Sequence, residues 1–129
     1  MYKKADGQIS ITEFISPFGQ LDRKNRWVRM ADTIPWDSYE KRYAEQFSNK
    51  TGAPATRFRI AMGTLLIKRK TGHSDSETLR NITENPYMQY LIGLDDYTPQ
   101  APFSARSISN FRKYVPRAML DEIWSKYKC

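Results

Sequence analysis

The chain has 129 residues, 40% hydrophobic and 27% charged, a composition that suits one folded domain and excludes a disordered tail. No apolar run approaches the ~20 residues of a membrane span; the longest, "IAMGTLLI", is interrupted by Gly63 and Thr64, and "MYKKADGQIS" has no secretion-signal core. A net charge of +7 leaves a polyanion as an open partner class, while the single cysteine, Cys129, can build neither an internal disulfide nor a metal site, so the cytosol is the expected compartment.

Residues 1–20 are weakly patterned, with Pro17 and Gly19 as breakers, and read as an irregular arm in which "ISITEF" is at most one isolated strand. Residues 21–129 read as helix throughout. The first helix is expected from Asp22 or Asn25 to Thr33, with Trp27, Met30, Ala31 and Ile34 at helical spacing and Pro35 ending it. In "WDSYEKRYAEQF", Asp37 with Glu40 three residues on reads as a capping box, and Tyr39, Tyr43, Ala44 and Phe47 form an apolar side. "SNKTGAP" reads as a turn. From Thr56 to Lys70, Phe58, Ala61, Met62, Leu65 and Leu66 make a broad stripe flanked by Ile60 and Ile67, the signature of a central core helix that stops at Gly72.

Ser74 with Glu77 predicts the start of a fourth helix carrying Leu79 and Ile82. Pro86 predicts a short fifth, from Tyr87 to Ile92, ended by Gly93. After the loop "LDDYTPQAPF", Ser104 caps the stretch "FSARSISNFRKYVPR", and Pro116 serves the first turn of a last helix with Met119, Leu120, Ile123, Trp124 and Tyr127 as its apolar contacts. The expected fold is an all-α, single-domain bundle of six to seven short helices.

Chemistry-bearing motifs are scarce. His73 is the one histidine and lies in a turn; Asp95-Asp96 sits in a polar loop; "GTLLIKRK" lacks the glycine spacing of a phosphate loop. No catalytic residue, metal or cofactor is expected, nor a small-molecule substrate. Charge is more informative. Residues 57–70 carry Arg57, Arg59, Lys68, Arg69 and Lys70 without an acid; residues 71–98 are acidic; residues 99–129 hold six basic groups against Asp121 and Glu122. A basic surface results if the two positive segments meet in space, although Lys68–Lys70 also suit the negative end of their own helix.

In the helix after Ser104, Ile108, Phe111 and Val115 share a stripe, and Arg106, Ser109, Asn110, Lys113 and Arg117 lie across from it. Two helices with a turn, followed by a helix with a basic outer face, form a helix-turn-helix-like arrangement suited to duplex DNA. Arg106 and Asn110 stand where base contacts concentrate; Lys113 and Arg117 suit phosphates, with Arg57, Arg59, Lys68, Arg69 and Lys70 as auxiliary contacts. An ordinary solvated face is the competing reading, and Arg112, beside Phe111, is as readily a pairing residue.

Three ordered blocks, residues 18–47, 52–94 and 102–115, resemble the N-terminal region of bacterial insertion-sequence transposases of the DDE class. The resemblance lies in Asn25-Arg26-Trp27-Val28, Ile34-Pro35-Trp36, Gly52, Pro54, Ser74-Asp75, Glu84-Asn85-Pro86-Tyr87, Gly93-Leu94 and Phe111-Arg112. It implies a helical domain that binds the terminal repeats of a mobile element on the bacterial nucleoid and can pair protomers. The metal-holding catalytic carboxylates of such enzymes belong to a following domain, absent from these residues. A dimerisation module, or a shortened regulator competing with full-length transposase, is the alternative.

Overall fold

The computed structural model describes residues 17–46 and 57–128. Among these residues the chain is all helical: a 3-10 turn at Pro17–Gln20 and helices α1 (Arg26–Thr33), α2 (Trp36–Glu45), α3 (Phe58–Thr71), α4 (Asp75–Glu84), α5 (Pro86–Leu91), α6 (Ala105–Tyr114) and α7 (Arg117–Tyr127). None is long and apolar enough to cross a membrane. The expected strand "ISITEF" and turn "SNKTGAP" lie outside the described residues.

Local signals set most of the boundaries. The Asn25 side chain accepts from the Trp27 amide to start α1, and Ser74 and Ser104 accept from the Glu77 and Ser107 amides to start α4 and α6. Asn85 does the same for α5, whose first residue is Pro86. Gly72 ends α3 in the left-handed region that only glycine adopts without strain.

The start of α2 departs from expectation. Its N-cap is Pro35, without a side-chain cap, and Asp37 falls in the first turn as an acid at the positive helix end. The reason is packing at Trp36: the indole Nε1 donates to the Ala31 carbonyl at 2.9 Å and the ring meets Phe58 edge-on, so the chain turns helical one residue before Asp37. At the other end of the chain, Pro116 is likewise the N-cap of α7, one step outside the helix.

α3 is the axis of the core. Every residue from Ala61 to Ile67 is buried, and α3 packs against α2, α4, α6 and α7, while α1 packs on α5. The inward residues of the other helices complete one cluster: Met30 and Ile34 from α1 and its end, Tyr39 and Tyr43, Ile82, Leu91 and Ile92, Ile108 and Phe111, Met119 and Ile123. Gly63 is a contact requirement, since a Cβ there would stand 3.1 Å from the Ile92 backbone. One buried amide ties the long α5–α6 loop down. Gln89 Nε2 donates to the Ile82 and Thr98 carbonyls at 2.9 and 2.8 Å, and its Oε1 accepts the Thr98 amide at 2.9 Å.

Candidate nucleic-acid interface

α6 has two faces of different chemistry. Ile108, Phe111 and Val115 are buried against α3 and α4, and Phe111 meets Phe103 edge-on at 5.3 Å. One stripe across the helix, Arg106, Asn110 and Lys113 are solvent-exposed, and none of the three meets an ion-pair or side-chain hydrogen-bond partner among the described residues. Ser109 is half-buried on the shoulder of that stripe. Arg117 continues past the α6–α7 turn; its side chain is 83% exposed and lies 3.6 Å from Asp121.

Arg112, next to Lys113 in sequence, is turned the other way. Its two terminal nitrogens donate to the two Asp75 oxygens at 2.7 and 3.1 Å, and Lys68 reaches the same carboxylate at 3.2 Å. The Arg112 guanidinium, with help from Lys68, holds the Asp75 carboxyl below the usual carboxylate range. Three helices meet in this one cluster.

The basic residues of α3 divide by position. At its start, Arg57 donates to the Gly93 carbonyl at 2.7 Å. Arg59 donates to the Leu91 and Tyr90 carbonyls, both at 2.9 Å, and lies over the Trp36 ring at 4.8 Å. Burial pushes the Arg59 pKa down, and the guanidinium is solvated instead by these two carbonyls, of which that of Tyr90 also accepts the Gly93 amide at 3.1 Å. Gly93 has φ +80°, and a Cβ there would stand 2.6 Å from Arg59 Cδ, so this clamp needs glycine twice over.

At the other end of α3, Lys68 also donates to the His73 carbonyl at 2.7 Å beyond the helix stop, and Arg69 donates to Asp121 at 2.6 Å while stacking on Trp124. Lys70 is half-buried. His73 is exposed in the turn, its Nδ1 2.7 Å from the Asn81 amide nitrogen. Lys68, Arg69 and His73 face Arg112 and Arg117 around a groove of about 460 Å³ whose apolar floor is Leu65, Val115 and Leu120. Cations from the two positive segments therefore meet, with Asp75 and Asp121 offsetting part of their charge. Arg57 and Arg59 sit apart from this groove, at the α5 end.

Another basic stripe was concealed by the near balance of charge in the first 56 residues. Lys24, Arg26 and Arg29 are exposed, and their side chains carry no ion pair among the described residues, whereas neighbouring Arg23 is held by the Tyr90 hydroxyl and Asp32. The signal was four basic residues within "RKNRWVR". No group of three or more His, Cys, Asp or Glu side chains among the described residues could hold a metal ion.

A family model described as "Transposase domain (DUF772)" matches residues 16–114, a span containing α1 through α6. The chain is also 30% identical over 103 residues to "Uncharacterized protein ORF8 in nfe locus" of Rhizobium meliloti. That alignment covers 80% of this chain and 49% of the relative, so the chain spans about half the length of the curated protein it matches. No solved structure matches. With more than half of its residues under the family model, the chain belongs to the transposase domain (DUF772) family.

Proposed function

We propose that this chain is the DNA-binding region of a DDE transposase and that it docks the outer face of α6 on duplex DNA at the ends of the mobile element. In this reading the catalytic carboxylates belong to another part of a longer parent, and these residues bind without cutting. The observation that carries it is the stripe Arg106–Asn110–Lys113, two cations and an amide held outward on a helix fixed by its buried side, with no carboxylate partner among the described residues. α6 packs on both α3 and α4, which also pack on each other, and this support suits a helix-turn-helix-like reading. Arg106 and Asn110 are positioned for base edges, Ser109 for a close backbone approach, and Lys113 and Arg117 for phosphates. Self-association is less well supported, because Tyr114 is the one large hydrophobic side chain exposed among the described residues.

Fluorescence anisotropy with a duplex carrying the element's end sequence, titrated at several salt concentrations, tests the reading. Each phosphate neutralised contributes about 0.9 to the slope of log affinity against log salt. The variant R106Q/N110A/K113Q is expected to flatten that slope by about 1–2 and to weaken binding at least ~10-fold at 0.1 M salt. An unchanged affinity and slope would show that the α6 face is not the contact. A stable dimer with no duplex affinity, seen by light scattering, would replace it with the interaction-module reading.

A further inference from the structure

Two carboxylates pair with the cations that line the groove between α3, α6 and α7, and they play different parts. Asp75, with a side chain only 26% exposed, takes both nitrogens of Arg112 and the Lys68 ammonium, and so fastens α3, α4 and α6 to one another. Asp121, on α7, is 50% exposed and holds Arg69 at 2.6 Å and Arg117 at 3.6 Å. An ion pair this open to water contributes little to stability. Its effect is local: one carboxylate occupies two guanidiniums that otherwise face the groove. Arg117 also sits where the groove meets the exposed α6 stripe.

We propose that the Arg69–Arg117 side of this groove is a seat for a phosphate of the bound duplex and that Asp121 acts as an electrostatic brake on it. The inference rests on the DNA reading above. A phosphodiester presents the same charge and two-oxygen geometry as the carboxylate, and guanidinium binds either in the same bidentate manner. Duplex backbone and Asp121 therefore compete for the same donors, and the carboxylate reduces the number of phosphates the domain neutralises. Arg69 is held over the Trp124 ring at 5.5 Å, whereas Arg117 stands open to solvent.

The test is D121N in the full chain, compared by duplex anisotropy with wild type and with D95N, which removes an equal charge from an exposed loop residue. D121N is expected to steepen the salt slope by about 0.9 and to tighten binding roughly 5–10-fold at 0.1 M salt. D95N is expected to leave the slope unchanged, and R69Q/R117Q/D121N to return it to the wild-type value or below. Should D121N not fold, the wild-type protein supplies the measurement: the Nε–H resonances of Arg69 and Arg117 shift on adding duplex, while that of Arg112 stays. Equal behaviour of D121N and D95N, with the α6 variant still impaired, overturns the brake and leaves the DNA reading standing. Tighter binding of D121N to an acidic peptide but not to duplex also overturns it, in favour of a protein partner. Failure of the wild-type chain to bind duplex removes both proposals.

Discussion

Arg112 and Lys113 are adjacent cations on one helix, yet the fold uses them oppositely. Arg112 is turned inward to Asp75, where its fork closes on both carboxylate oxygens. Lys113 is turned outward and meets no carboxylate among the described residues. The 100° rotation per residue of an α-helix is enough to place one charge in a structural cluster and the next on an open surface. Along α3 the cations also take different places: Arg59 clamps the end of α5, while Arg69, paired with Asp121, borders the groove. On the proposed DNA reading, the outward cations are the ones most open to a polyanion. A count of basic residues merges the two classes; their partners separate them.

The largest expected effect belongs to the inward class. Arg59→Met keeps an apolar stem but removes the guanidinium, which lies over Trp36 at 4.8 Å and makes charge-assisted hydrogen bonds to the Tyr90 and Leu91 carbonyls. The Tyr90 carbonyl keeps the Gly93 amide, but the Leu91 carbonyl loses its guanidinium partner, and the expected cost is about 2 kcal/mol in urea denaturation. The salt slope of duplex binding should stay as in wild type. A variant that kept its stability and lost slope would move Arg59 into the contacting class and break the division.

Next come the two neighbours themselves, measured as a pair. Arg112→Gln is expected to lower stability by about 1 kcal/mol, since its partner Asp75 is only partly exposed, with no change in salt slope. Lys113→Gln is expected to do the reverse: stability within about 0.5 kcal/mol of wild type, and a slope smaller by about 0.9. Identical profiles for the two variants would mean that orientation on α6 does not sort these charges.

What could be read from the sequence follows the range of each interaction. The helices were legible because their signals are local: Ser74 and Ser104 as caps, Gly72 as a stop, Pro86 and Gly93 around α5, and the apolar stripe of α3. The Asp37 cap misled because a capping pattern four residues long carries no information about Trp36 packing across to Ala31 and Phe58. The outward set Arg106, Asn110 and Lys113 could be found from helical spacing alone. The partners of the ion-paired cations could not. Arg112 meets Asp75 across 37 positions, Arg69 meets Asp121 across 52, and Arg42 meets Glu122 across 80. Such pairings depend on which helix ends the assembled core brings together. The basic stripe Lys24, Arg26 and Arg29 escaped for the opposite reason, because its cations lie among enough acids to look neutral in total.

The smallest expected effect is a pH dependence confined to the inward class. Glu122 of α7 accepts the Tyr39 hydroxyl at 2.7 Å and both terminal nitrogens of Arg42 at 3.1 and 3.2 Å, tying α7 to α2. Arg42, then Tyr39, pull the Glu122 carboxyl down from 4.5 to about 2. A lowered folded-state pKa means that the unfolded chain takes up the proton first as pH falls. The stabilisation is thus complete above pH 4.5 and disappears as pH drops toward 2. Tyr39 shifts the other way, raised from 10.0 to about 12 chiefly by burial, so its share is complete below pH 10 and is lost as pH rises toward 12. Thermal unfolding against pH should therefore show a shallower acid limb for Glu122→Gln and a shallower alkaline limb for Tyr39→Phe, with the rest of each profile displaced but parallel. Lys113→Gln should change neither limb, because this outward cation has no carboxylate partner among the described residues. An acid limb altered by Lys113→Gln would place that residue among the paired cations and remove the basis for reading the α6 face as open.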